Sequence, residues 1–193
     1  MARTKNFDQQ EVLEKALDLF WMKGYNATSI QDLVDHLGIN RASIYDTWGD
    51  KHSLYIKALA LYKAGNSEWL KGLMQAGLPA IEIIKNFLDL AITESINDCN
   101  SKGCFMVNST TELFNNDQSV IDLVSHNRDF VISELTSVIE RGKKEGDITS
   151  DEPSGNLATF LFSLLNGIRV MGQTQMSKKS LNSISAIAVT ALN

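Results

Sequence analysis

Thr28-Ser-Ile-Gln-Asp-Leu-Val-Asp-His-Leu-Gly-Ile-Asn-Arg-Ala-Ser-Ile-Tyr-Asp-Thr-Trp-Gly-Asp-Lys51 is the stretch that decides the fold of this chain. Ile30, Leu33, Val34 and Leu37 recur at helical spacing and form one apolar stripe, capped by Thr28 or Ser29 and ended by Gly38. Asn40 then caps a second short helix, Arg41 to Trp48, which keeps Ile44 and Trp48 for the core. Two helices of about two turns across a tight glycine turn are a helix-turn-helix pattern. Arg41, Ala42, Ser43, Tyr45, Asp46 and Thr47 are left to project outward, as on a helix lying in a DNA major groove. Arg41 brings a cation for a phosphate or a guanine edge, and Ala42 is small enough for close approach. Ser43 can reach a base or a phosphate, and Tyr45 can offer its hydroxyl to a backbone oxygen. Lys51 follows the cap Asp50 at the start of the next helix, where free N–H groups already favour phosphate; Thr28, Ser29 and Asn40 stand at the equivalent ends of theirs. Each capping residue taken singly is ordinary, so the weight rests on the whole segment.

Working outward, Val12, Leu13, Ala16, Leu17 and Phe20 predict a first helix from about Asp8 to Lys23, stopped by Gly24. Phe20-Trp-Met-Lys-Gly-Tyr25, Thr28-Ser-Ile-Gln-Asp-Leu, Gly38-Ile-Asn-Arg-Ala-Ser-Ile-Tyr45 and Trp48-Gly-Asp-Lys-His-Ser-Leu-Tyr55 together make residues 8–57 resemble the DNA-binding domain of the tetracycline-repressor (TetR) family. Two positions depart from that family's pattern. Trp48 replaces the usual Phe, a conservative core exchange. Asp46 replaces an aromatic or His, and facing DNA it either reads a cytosine amine or points away from phosphate. The resemblance implies a homodimeric regulator on double-stranded operator DNA, probed by a small-molecule effector.

Composition bounds the alternatives. The net charge is −5, and residues 1–51 carry six Lys or Arg against eight Asp or Glu, the opposite of a generic basic footprint. Any DNA binding therefore depends on where charge sits. Two prolines and 44% hydrophobic residues, without runs of alternating strands, favour an all-α fold. Cys99 and Cys104 with His36, His52 and His126 form a poor metal set, and a cysteine packed in a core is inert. No cofactor, metal site or catalytic group is expected, for no Gly-rich phosphate loop or nucleophile elbow occurs. The start Met-Ala-Arg-Thr-Lys-Asn lacks a signal peptide's apolar core, and the most apolar window, 157–171, is broken by Ser163, Asn166, Gly167 and Arg169; a cytoplasmic protein is expected.

The expected architecture has about nine helices. Residues 1–52 form a three-helix helix-turn-helix domain, a helix over 51–72 links, and 66–193 form a ligand-binding and dimerisation domain. The helix 153–172 is apolar nearly all round, and the last helix carries its own stripe. The resemblance implies a seam between copies built from these two helices, with Leu157, Leu161, Leu164, Ile168, Ile184, Ile187, Ala188 and Leu192 as its residues, and a core inside one chain is the other reading. Lys102-Gly-Cys-Phe-Met-Val-Asn-Ser-Thr-Thr-Glu-Leu113 resembles a Gly-Cys-x-x-x-Asn stretch found in part of the family. Phe105, Met106, Asn108, Ser109 and Glu112 there mix apolar walls with polar anchors, as a largely apolar effector requires; the bland reading is that Asn108 and Glu112 cap backbone or face water. The functions in view are a repressor released by its effector, an activator or effector-independent regulator, and a helical adaptor without DNA binding.

Overall fold

The computed structural model describes residues 7–193, and among them every regular element is a helix. The order is α1 Gln9–Lys23, α2 Ile30–Leu37, α3 Arg41–Trp48, α4 Lys51–Met74, α5 Ala80–Asn97, α6 Phe105–Leu113, α7 Gln118–Glu145, α8 Ser154–Gln173 and α9 Lys178–Thr190. Side chains set the starts of the first four helices. Asp8 Oδ1 accepts from the Gln10 and Glu11 N–H groups, Asn40 from Ser43, and Asp50 from Ser53. Ser29 and Asp32 cap α2 reciprocally, each accepting from the other's backbone N–H. Gly24, Gly38 and Gly49 follow the first three helices at φ 79°, 68° and 87°, a region that residues with a Cβ rarely enter.

The chain forms two compact units, and their boundary does not follow the sequence. The first unit runs up to Gly65 and also takes in Phe105–Leu123; the second comprises Asn66–Cys104 and Val124–Asn193. A division at residue 52 or 66 thus misses α6, which packs with the helix-turn-helix. The core of the first unit contains Val12, Ala16, Phe20, Leu33, Leu37, Ile44, Leu54 and Tyr55. It continues into α6 through rings: Tyr55 meets Phe20, Tyr25 and Phe105 edge-on, and Phe105 meets Tyr62.

In the second unit α5 packs on both α8 and α9. Ile83, Ile84, Phe87 and Leu88 share one core with Leu157, Leu161, Leu165, Ile168, Leu181, Ala188 and Leu192. Five residues expected at a seam between copies, Leu157, Leu161, Ile168, Ala188 and Leu192, are therefore buried in this chain's own core. Leu164 and Ile184 are partly buried against it, and Ile187 alone of the eight is well exposed, at 70%. The apolar surface that α8 and α9 leave in solvent belongs to Phe160, Val170, Met171 and Ile187. No helix of the described residues is long and apolar enough to cross a membrane.

Candidate nucleic-acid interface

α3 is an eight-residue helix held at both ends and along one side. Asn40 Oδ1 accepts the Ser43 N–H at 2.8 Å, and the Gly49 N–H closes the other end on the Tyr45 carbonyl at 2.8 Å. Ile44 and Trp48 are buried, and the Trp48 ring stacks on Phe7. This leaves Arg41, Ala42, Tyr45 and Asp46 exposed and Ser43 half-buried. α2 lies against α3 and buries Leu33 and Leu37. The exposed side of α3 carries one base, Arg41, and one acid, Asp46. Asp46 faces solvent, so a duplex on that face meets its carboxylate.

Of the five other residues expected on DNA, Thr28, Thr47 and Lys51 are placed differently. The Thr47 hydroxyl oxygen is buried and has no hydrogen-bond partner, so it is turned away from the exposed side. Thr28 is buried, and its hydroxyl donates to the Gly24 carbonyl at 2.5 Å, which commits it to the α1–α2 turn instead of a phosphate. Lys51 Nζ donates to the Tyr25 and Thr28 carbonyls, both at 2.8 Å, and sits 4.1 Å from the Tyr25 ring centroid. Two of the three donors of that ammonium are thus spent inside the protein. Partial burial pushes the Lys51 pKa down, and the Glu112 charge opposes that shift. Ser29 and Asn40 remain exposed, each with its side chain engaged as a cap.

The acidity of the first unit has a structural use. Asp8, Asp32 and Asp50 all stand at helix N-termini, where free N–H groups and the positive dipole end offset a carboxylate. Asp32 also pairs with Lys23 at 2.7 Å; Lys23, then the Ser29 hydroxyl and amide, hold its carboxyl well below the usual range. The Ser53 N–H lowers Asp50 in the same sense.

Among the residues expected to line an effector site, Phe105, Met106 and Ser109 are buried and Asn108 and Glu112 half-buried. The Ser109 hydroxyl lies 2.7 Å from the Tyr55 hydroxyl and donates to the Phe105 carbonyl. Burial pushes the Tyr55 pKa up to about 12, with the nearby carboxylates adding to it. Glu112 Oε2 accepts from the Tyr25 N–H at 3.0 Å, and Oε1 from the Asn26 N–H at 2.7 Å. Ser109 and Glu112 are therefore bonded inside the first unit and are not open anchors for a ligand. His52 Nε2 and Asp117 Oδ2 are 2.6 Å apart. Cys104 is buried, with its Sγ 3.6 Å from Arg169 Nη1, and Cys99 is exposed. Among the described residues no group of three or more His, Cys, Asp or Glu side chains converges as a metal site would.

Residues 12–58 match the model of the tetR family of bacterial regulatory proteins, and residues 80–187 match the tetracyclin repressor-like C-terminal domain. The HTH-type transcriptional regulator YezE of Bacillus subtilis is 28% identical over 152 residues, covering 79% of this chain and 78% of its own. ComR of Escherichia coli, an HTH-type transcriptional repressor, is 25% identical over 185 residues, covering 95% of this chain and 88% of its own. A cysteine-substituted form of the TetR family regulator CifR, solved on 26-base-pair double-strand operator DNA, superposes with a TM-score of 0.87 over 100% of both chains at 25% identity. Sequence and fold agree along the whole length: this chain belongs to the TetR family of helix-turn-helix, DNA-binding transcriptional regulators.

Proposed function

We propose that the protein is a homodimeric repressor that reads a palindromic operator with Arg41, Ala42, Ser43, Tyr45 and Asp46, and that a small-molecule effector releases it. The observation carrying this reading is α3 itself, whose buried Ile44 and Trp48 turn those side chains to solvent around a capped N-terminus. Asn40, exposed at the α3 N-terminus, is the residue that fits a phosphate beside it. ComR's printed role as a repressor and CifR's operator complex support the same assignment. The chemistry is recognition, not catalysis, and a cytoplasmic location follows from the DNA target.

The dimer seam we propose is the exposed side of α8 and α9, where Phe160, Val170, Met171 and Ile187 leave apolar surface in water. Gly167, on α8, has open space where a Cβ would stand and lets a neighbouring helix approach closely. Gly103-Cys-Phe-Met-Val-Asn108 supports reading the chain as one of the Gly-Cys-x-x-x-Asn subset of the family. There Asn108, half-buried on α6, is the candidate polar anchor for a largely apolar effector.

Selection from a random-sequence duplex pool at low salt tests the function. The reading expects a palindrome whose half-site centres are about one helical turn, roughly 10 base pairs, apart or slightly more. A pool that yields no palindrome favours the adaptor.

A further inference from the structure

The backbone between α1 and α2 turns through residues 24–29 and offers polar groups that neither helix satisfies. Two side chains from distant parts of the sequence divide them by polarity. Glu112, on α6, takes the donors: the Tyr25 N–H at 3.0 Å and the Asn26 N–H at 2.7 Å. Lys51, at the start of α4, takes the acceptors: the Tyr25 and Thr28 carbonyls, both at 2.8 Å. Gly24 completes the fit, because a Cβ there would stand 3.0 Å from Glu112 Oε2 and its φ of +79° already disfavours a side chain. All these groups lie in the first unit.

The base from which Glu112 reaches is itself fixed. The Ser109 hydroxyl holds Tyr55 of α4 at 2.7 Å, and Asp117, just past α6, holds His52 of α4 at 2.6 Å. What the turn controls is equally definite. Ser29 ends it and caps α2, and α2 carries α3. A shift of residues 25–26 therefore moves the start of α2, and the rigid α2–α3 pair follows.

We propose that Glu112 is a positioning residue for operator recognition: from α6 it holds the α1–α2 turn, and so sets the placement of α3 without touching DNA. The proposal rests on the reading of α3 as the recognition helix. It carries a sign that simple electrostatics reverses. Removing a carboxylate from an acidic protein should tighten its hold on a polyanion. Loss of positioning should weaken it, and only on the correct sequence.

The test measures Kd by fluorescence anisotropy for the full chain, Glu112→Ala and Glu112→Gln on two probes. These are the palindrome enriched from a random pool and a scrambled duplex of the same composition. Active fraction is fixed by stoichiometric titration. Glu112→Ala should raise Kd on the palindrome about tenfold or more, about 1.4 kcal/mol, while the scrambled duplex changes by less than about twofold. Glu112→Gln should fall between, since its single amide oxygen serves one of the two N–H groups. Unchanged or tighter binding to the palindrome overturns the proposal, and so does an equal loss on both probes. A wild-type protein that does not distinguish the probes defeats the recognition reading instead. Amide exchange on the wild type needs neither a variant nor DNA. The Asn26 N–H should exchange at least about tenfold slower than in an unstructured chain, and free exchange overturns the proposal.

Discussion

Lys51→Met separates a lysine that serves phosphate from one that serves the fold. The substitution keeps an unbranched side chain and removes the ammonium, leaving the Tyr25 and Thr28 carbonyls without their 2.8 Å donors. Hydrogen bonds to a charged group contribute about 1.5–3 kcal/mol each, which sets an upper bound of about 3–6 kcal/mol for the pair. The site is only partly buried, so water replaces much of what is lost, and about 2 kcal/mol is expected. For a chain of this length that corresponds to a Tm about 4–8 °C lower. Urea unfolding followed by far-UV circular dichroism reads the stability, and a salt titration of operator binding reads the phosphate contact. One lost phosphate contact lowers the slope of log K against log salt by about 0.9. With two of three N–H donors spent inside, Lys51→Met should change the slope by clearly less than that. A stability loss below about 0.5 kcal/mol together with a full unit of slope would refute the reasoning and return Lys51 to the DNA.

The seam prediction contrasts two residues of α9 and its end. Ile187→Glu should leave the fold intact and give monomers by sedimentation, whereas Leu192→Ala, in the core, should cost about 2–5 kcal/mol without being a seam mutation. Asn108→Ala should weaken release by effector while operator affinity stays within about twofold of wild type; collapse of operator binding would make Asn108 part of the fold. Asp32 and Asp50 have folded-state pKa values below their ordinary 3.8, so the unfolded chain takes up their protons first. Their stabilisation is complete above about pH 4 and is lost as pH falls through the lower folded values. Asp32→Asn should flatten that acid limb in a pH series of urea midpoints.

Local signals carried most of what was legible in the sequence. Asn40, Gly38 and the Ile44–Trp48 spacing gave α3 with the bounds that the structure shows, because capping and helical period act within a few residues. The roles of Thr28, Lys51 and Glu112 were not legible, since each depends on a partner that chain folding brings close. Glu112 lies 87 residues from Tyr25, and a half-polar helix gives no hint that its acid faces a backbone turn instead of a ligand. The burial of Leu157, Leu161, Ile168, Ala188 and Leu192 inside one chain was not legible for a different reason. A helix such as α8 that is apolar nearly all round offers more than one apolar side, and periodicity cannot say which one faces α5. The acidic total misled because it counts Asp8, Asp32 and Asp50 as surface charge, although all three are tied to helix ends.

The most direct measurement is the affinity of wild type and Arg41→Ala for the selected palindrome and for scrambled duplex, taken across a salt series. Wild type should bind the palindrome more tightly and lose affinity linearly in log salt, despite its net charge of −5. Arg41 is the one base on the exposed side of α3, so its removal should cost on the order of 1–3 kcal/mol on the palindrome and less on scrambled DNA if it reads a base. Equal affinity of wild type for the two duplexes, or an Arg41→Ala variant that binds both as wild type does, would contradict the assignment of α3 as the helix that reads DNA.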